Sequence, residues 1–230
     1  MPVSTYAEVA DALARFGFLA RGGFAVAAGD EPIIGSAGRP IAAVVLAGHA
    51  GGSIWPWFQD GRRAEDNPLD QWTKRVIDPI ARQLEAEAVY PSDRPYRPFQ
   101  RWARRAEPVH PSPLGILIHP DYGLWHAYRA ALLFTAAISL PQRADMPSPC
   151  ETCAGKPCLT GCPVGAFSRD GFDDSACAGH LRSGAEPQCR TLGCQARDAC
   201  PVGHPWRYGH DQIIFHMAAF YGPRAEDIGE

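Results

Sequence analysis

The sequence lacks an excess of basic residues, an apolar run long enough to cross a membrane, and an N-terminal segment of the secretory kind. Its 230 residues contain 22 lysines and arginines against 25 aspartates and glutamates, which gives a net charge of −3. The longest uncharged apolar run covers residues 130–140, and a membrane span needs roughly 20 residues. The first ten residues contain no basic segment followed by an apolar one. We therefore expect a cytoplasmic protein without a membrane partner, and the charge balance disfavours nucleic acid as a partner.

Cysteine is absent from most of the chain, since all 8 cysteines lie between residues 150 and 200. The first four read Cys150-x2-Cys153-x4-Cys158-x3-Cys162-Pro163. The last four are Cys177 and then Cys189-x4-Cys194-x5-Cys200-Pro201. The tetrapeptide Cys-Pro-Val-Gly occurs at 162–165 and again at 200–203. Two series of thiols that each close with Cys-Pro are typical of iron–sulfur clusters.

The Cys-Pro pairs also predict which cysteines share a cluster. In two-cluster ferredoxins three close cysteines hold one cluster, and a fourth, placed before proline, reaches across to the other. This rule predicts that one 4Fe-4S cluster is held by Cys150, Cys153, Cys158 and Cys200. It predicts that the second is held by Cys162, Cys177, Cys189 and Cys194. The sequence departs from the ferredoxin pattern in having four residues, 154–157, where ferredoxins have two between the second and third cysteines.

Two other interpretations of the cysteines remain open. The first is a pair of structural zinc sites with four cysteines each, although such sites usually pair two short clips and need no Cys-Pro. A disulfide framework is the other, although such frameworks belong to small secreted chains.

Hydrophobic periodicity predicts an α+β fold for the part before the cysteines. It indicates helices starting near Thr5, Asn67 and Phe99, the helix after Asn67 interrupted at Pro79, and strands at 24–28, 41–47, 115–119 and 124–138. The apolar run 41–47 predicts a central strand. Residues 141–149 contain three prolines and no apolar run, so we place a domain junction there. The predicted domains are 1–145 and 146–230, and the second ends in an amphipathic helix near 213–221.

The cysteine layout resembles the iron–sulfur segment of epoxyqueuosine reductases and, more loosely, that of reductive dehalogenases. Both families are cobalamin enzymes with two 4Fe-4S clusters, so the resemblance implies a bacterial-ferredoxin-like dicluster domain over 146–230 and a bound cobalamin. Epoxyqueuosine reductases have a longer corrinoid domain and a further helical-repeat domain that holds tRNA. This chain stops about 30 residues after its last cysteine, which weighs against work on tRNA.

A second resemblance lies in the run 115–129, which carries Ile118-His119-Pro120 ahead of Gly123 and Trp125. It looks like the cobalamin-processing proteins of the CblC type, as does the helix start at 67–71. This resemblance implies a nitroreductase-like or CblC-like sheet-and-helix domain over 1–145. The residues that it implies at the corrinoid are His119, Pro120, Tyr122, Gly123 and Trp125.

His119 has two competing roles. A histidine that ends a strand before a Pro-x-x-Gly turn is able to face a corrin ring. It is equally able to cap the backbone of its own turn. Tyr122 and Trp125 would line an apolar face of the corrin or belong to a core.

The leading hypothesis is a redox protein that passes electrons from two 4Fe-4S clusters to a bound corrinoid, which is reduced or dealkylated, or to a small substrate. Its partners would be this small molecule and an electron-donor protein. The first alternative is a plain electron-transfer protein without a corrinoid. The second is a tRNA-modifying enzyme like epoxyqueuosine reductase that borrows its RNA-binding part from another chain.

Overall fold

The computed structural model describes residues 5–168, 171–184 and 188–222. The contact pattern divides the chain into two compact units: one contains the described parts of Met1–Val109 and His126–Met146, and the other contains His110–Trp125 and the described parts of Pro147–Glu230. This division differs from the predicted one because residues 110–125 pack with the cysteine segment. The predicted domain ends at 1–4 and 223–230 lie outside the described residues.

Strands and helices are mixed up to residue 134, and only helices follow in the described chain. The strands are β1 (Leu19–Ala25), β2 (Ala43–Ala50), β3 (Glu87–Val89), β4 (His110–Pro111), β5 (Leu117–Ile118) and β6 (His126–Phe134). The helices are α1 (Tyr6–Ala14), α2 (Trp55–Gly61), α3 (Pro68–Gln83), α4 (Phe99–Ala106), α5 (Pro149–Thr152), α6 (Pro157–Thr160), α7 (Asp174–Ser183), α8 (Gln188–Thr191), α9 (Gln195–Asp198), a 3-10 turn at His204–Trp206, and α10 (His210–Tyr221).

The first unit is built on an antiparallel sheet with the strand order β1-β2-β6-β3. Strand β2 is buried along its whole length, and β6 is buried over 130–134. The predicted central strand is thus confirmed, because its apolar run is what a strand covered on both faces requires. Gly48 follows this run at the β2–β6 contact, where a Cβ would lie 2.2 Å from the Ala127 carbonyl oxygen. The glycine therefore serves a close approach of two strands.

Local signals account for the helices around this sheet. Thr5 and Glu8 form the predicted capping box of α1: the Glu8 amide donates to Thr5 Oγ1 at 3.2 Å, and the Thr5 amide donates to Glu8 at 2.7 Å. Helix α3 does not restart at Pro79 as predicted. Proline removes one backbone hydrogen bond there, but burial of Ile77 and Ile80 on either side stabilises the continuous helix.

The second unit has little regular structure, and buried cysteines lie among the aliphatic side chains of its core. Helices α5, α6, α8 and α9 have four residues each. Helix α10 is the predicted C-terminal helix, and it contacts α7 and α8. The buried core of this unit consists of Leu114, Ile118, Leu124, Cys158, Ala196 and Cys200.

The two units together give a mixed α+β protein, which confirms the coarse fold class. Among the described residues, every helix is too short or too polar to cross a bilayer.

Candidate metal centre

The structure brings the eight cysteines together as two groups of four. The first cysteine group consists of Cys150, Cys153, Cys158 and Cys200, which interact electrostatically with one another. The second cysteine group consists of Cys162, Cys177, Cys189 and Cys194, and all four line one cavity. None of these thiols is in a disulfide. The groups have the same members as the two ligand sets predicted from the sequence.

Burial raises the pKa of several of these thiols. It raises the pKa of the Cys177 thiol to about 11, and the neighbouring Cys194, Cys162 and Cys189 contribute to the rise. Burial likewise raises the pKa of Cys150, ahead of the effect of Cys200. Four thiols that repel one another when ionised are a suitable set for a cationic centre, because metal coordination deprotonates thiols and removes the repulsion. Within the described ranges, no group of three or more His, Cys, Asp or Glu side chains converges on a position for a lone metal ion.

The short helices place cysteines where backbone amides are free. Cys150, Cys158 and Cys189 are the second residues of α5, α6 and α8, and Cys194 is the N-cap of α9. Burial raises the pKa of Cys194, and the nearby backbone amides of Arg197 and Ala196 oppose this rise. The first four amides of a helix have no partner within the helix. Such amides stabilise anionic sulfur.

Further donors reach the sulfur atoms of the second cysteine group from outside these helix starts. The Ala166 amide donates to Cys162 Sγ at 3.4 Å. The Gln195 side chain donates to Cys189 Sγ at 3.5 Å through Nε2. Hydrogen bonds to ligand sulfur are one of the means by which a protein sets the potential of an iron–sulfur cluster.

Positive charge lies beside the first cysteine group. Lys156 Nζ donates to the Cys150 carbonyl at 3.0 Å, and its charge partly offsets the effect of burial on the pKa of the Cys150 thiol. Arg207 acts in the same direction on Cys200, whose pKa burial raises. Arg207 is held in place by Asp198, with 3.1 Å between Nε and Oδ1. These two cations offset part of the negative charge that four thiolates would bring.

The predicted corrinoid residues lie in the second unit, in a turn that packs on the second Cys-Pro-Val-Gly. His119 and Gly123 exchange both backbone hydrogen bonds, at 2.9 Å each. A Cβ on Gly123 would lie 2.0 Å from the Val202 carbonyl oxygen, and a Cβ on Gly203 would lie 2.3 Å from the Tyr122 carbonyl carbon. Both positions also have a positive φ, +57° and +74°. This mutual fit of glycines against backbone was not recognised in the sequence, where their separate positions gave no sign of it.

The His119 ring is part of the same turn. Its Nδ1 accepts hydrogen bonds from the amides of Asp121 at 3.0 Å and Tyr122 at 3.3 Å. The ring is buried and stacks on Tyr122 with 4.3 Å between ring centroids. This is the backbone-capping arrangement, and it assigns the proton to Nε2, because an accepting Nδ1 is unprotonated.

The other predicted corrinoid residue, Trp125, is buried in the same unit. Its ring meets that of Tyr208 edge to face at 5.3 Å. The Arg197 guanidinium lies 4.2 Å from the Trp125 ring centroid, a distance typical of a cation–π contact. Trp125 is therefore a core residue of the cysteine unit.

The first unit contains a cavity of about 330 Å³ that the sequence did not reveal. It is lined by Asp70, Thr73, Tyr90, Pro91, Ser92, Tyr96, Tyr128 and Arg129. Arg129 and Asp70 form an ion pair at 3.5 Å. The volume is at the lower end of the range for small-molecule pockets. Nothing local marked these residues, because a contact between α3 and β6 brings them together.

Comparison with known proteins gives structural matches alone. No family model matches the sequence, and no curated protein matches it either. One similar structure is an epoxyqueuosine reductase with a tRNA-Tyr epoxyqueuosine-modified stem loop, at 16% identity and a TM-score of 0.45 over 81% of this chain and 53% of that chain. Another, from Streptococcus thermophilus, is 17% identical with a TM-score of 0.44 over 71% and 50% of the two chains. A third, from Bacillus subtilis, is 15% identical with a TM-score of 0.45 over 73% and 50%.

The chain spans about half the length of these solved proteins. They are epoxyqueuosine reductases. One of them holds a tRNA stem loop, which contradicts the expectation that nucleic acid is not a partner.

Proposed function

We propose that the second unit binds two 4Fe-4S clusters and that the protein is an iron–sulfur redox protein. The observation that carries the proposal is the separation of eight cysteines into two groups of four, with Cys200 beside Cys150, Cys153 and Cys158. Cys200 is only six residues after Cys194 in the sequence, yet the two belong to different groups. Such an exchange of the Cys-Pro cysteine is what two-cluster ferredoxins use.

The residues present fit this cofactor by their chemistry. Each group offers four thiols, the usual ligand set of a 4Fe-4S cluster. Burial of Cys158, Cys189 and Cys200 limits access of water to the sulfur atoms. Amide donors and the cations Lys156 and Arg207 stabilise negative charge at the groups. The clusters would supply one-electron transfer, with a potential that hydrogen bonds and burial adjust.

Metal analysis of anaerobically prepared protein tests the proposal. We expect about eight iron and about eight acid-labile sulfide per chain, as two 4Fe-4S clusters require. Two zinc without sulfide would support the zinc interpretation instead, and disulfides without metal would support the framework interpretation.

The electron acceptor is a separate part of the proposal. The leading hypothesis names a corrinoid, and its test is retention of hydroxocobalamin by the folded protein after excess ligand has been removed, measured from the visible spectrum. A retained corrin whose addition speeds reoxidation of reduced clusters would support it. Loss of all corrin from folded, iron-replete protein would leave the plain electron carrier or the second candidate below.

The second candidate is a reductase that acts on modified tRNA. The resemblance of the cysteine layout to epoxyqueuosine reductases favours it. Its test is incubation of the reduced protein and cobalamin with a tRNA stem loop that carries epoxyqueuosine, followed by nucleoside analysis. Conversion that requires the clusters would support this function. An unconverted stem loop at full iron content would count against it.

A further inference from the structure

A histidine lies in the cavity of the second cysteine group. Helix α7 carries both Cys177 and His180, and side chains three residues apart lie on the same face of a helix. His180 lines the cavity together with all four cysteines of the group. The sequence did not single out His180, because histidine outside a metal motif is common in helices.

The environment of His180 leaves one nitrogen without a hydrogen bond. Its Nε2 atom is buried and has no hydrogen-bond partner in the part of the chain that the structure describes. The same cavity is lined by the apolar side chains of Phe167, Leu181, Ala196 and Met217. A buried nitrogen in such surroundings is costly unless it finds a partner. A group that fills the cavity would supply such a partner.

We propose that His180 Nε2–H donates a hydrogen bond to a sulfur atom of the cluster held by the second cysteine group, and that this bond raises the reduction potential of that cluster. The inference rests on the proposed function and deepens it. A reduced cluster has one more negative charge than an oxidised cluster. Hydrogen bonds to charged acceptors are stronger, so the bond stabilises the reduced form more than the oxidised form.

The two cysteine groups would then be tuned by different means. The first has Lys156 and Arg207 beside it. The second has the side-chain N–H donors of Gln195 and, in this proposal, of His180. His180 therefore affects one of the two clusters, and the other provides an internal reference.

The test is redox titration of the iron-loaded protein by electron paramagnetic resonance. The variant His180→Leu removes the donor, and His180→Gln keeps a side-chain N–H. The control is His210→Leu, since His210 is exposed at the start of α10. With the Leu variant we expect the reduced-to-oxidised ratio of one cluster to fall about threefold to tenfold at a fixed applied potential, as loss of one hydrogen bond implies. Tenfold corresponds to about 59 mV for one electron.

The reduction potential should shift less in the Gln variant than in the Leu variant. In the control, the potential of neither cluster should shift. Unchanged potentials in a Leu variant with full iron content would overturn the proposal. Equal shifts of both clusters would also overturn it, because a general loosening of the unit would act on both.

A measurement on the unmodified protein covers the case in which the Leu variant loses iron. Protein labelled with nitrogen-15 histidine should show a weak nitrogen hyperfine coupling to one reduced cluster. Absence of this coupling overturns the role of His180 even though the clusters are present. Failure of the proposed function is distinct, since the protein would then lack iron and sulfide before any variant is made.

Discussion

The two units of this protein hold themselves together by different means. The first buries an aliphatic sheet whose central strand is covered along its whole length. The second buries Cys158 and Cys200 in its core, and four of its helices have only four residues. Isolated helices this short are unstable in water. We therefore expect the second unit to depend more than the first on what its cysteines bind.

Removing the metal gives the sharpest test of this difference. After anaerobic chelation we expect amides of α9 and of the 119–123 turn to lose protection from hydrogen exchange, because metal binding supplies the folding free energy of such domains. Amides of β2 and β6 should stay protected. Retained protection throughout the second unit would show that its core is stable alone.

Replacing one predicted ligand at a time compares the two cysteine groups within the second unit. Cys200→Ser should lower iron from about eight to about four per chain by removing the cluster of Cys150, Cys153 and Cys158. Cys162→Ser is the matched variant and should remove the other cluster. Iron analysis with electron paramagnetic resonance identifies which cluster remains. If each variant lost the cluster nearest in sequence, the ligand sets would be sequential.

A substitution in the first unit should lower the free energy of unfolding and leave the iron content unchanged. Arg21 is fully buried and pairs with Glu107, at 2.6 Å from Nη2 to Oε1 and 3.1 Å from Nε to Oε2. Glu107→Gln leaves the buried arginine charge uncompensated, which typically costs about 3–5 kcal/mol. Denaturant unfolding should show this loss at unchanged iron content.

The control for that substitution is Glu31→Gln, since the ion pair of Glu31 with Arg101 is largely exposed. Exposed pairs contribute about 0–1 kcal/mol. A loss of iron in the Glu107 variant would mean that the first unit also determines the integrity of the cysteine groups.

The two Cys-Pro-Val-Gly repeats allow the most closely matched test, in which we expect the smallest change in stability. Gly203 and Gly165 have positive φ values of +74° and +61°. A Cβ on Gly203 would lie 2.3 Å from the Tyr122 carbonyl carbon, whereas a Cβ on Gly165 would meet nothing within 4 Å. Both alanine variants should lose about 1–2 kcal/mol from the left-handed conformation.

Only Gly203→Ala should also displace the 119–123 turn and weaken retention of the cluster bound by Cys200. Iron release on dilution, compared between the two variants, measures this extra effect. Equal release would mean that the turn and the second repeat do not support each other.

Local signals in the sequence predicted structure most reliably. The capping box at Thr5 and Glu8, the helix Phe99–Ala106 and the central strand β2 follow from neighbouring residues. Strand ends were predicted less well: the predicted strand 124–138 is β6, His126–Phe134. Periodicity does not show where pairing stops, and β6 ends where β2 no longer faces it.

The cysteine groups show the same difference between local signals and contacts that join distant segments. The type and spacing of the cysteines predict two 4Fe-4S clusters through the Cys-Pro rule. The structure separates the cysteines into groups with the same members as the predicted ligand sets, and the clusters themselves stay a prediction. The resemblance implied that residues 115–125 belong to the first domain, whereas in the structure they belong to the second unit. Tyr122 and Gly123 lie against Val202 and Gly203, a contact between segments about 80 residues apart.

The sequence by itself thus determined the chemistry available to this protein: eight thiols in two series, and apolar strands before them. Only the tertiary structure decided which groups meet. It placed the 119–123 turn on the second Cys-Pro-Val-Gly and buried the His180 nitrogen within the described chain without a partner. It also joined Asp70 to Arg129 beside a cavity. The reason is that backbone preferences act over a few residues, whereas these contacts depend on the close fit of segments far apart in the chain.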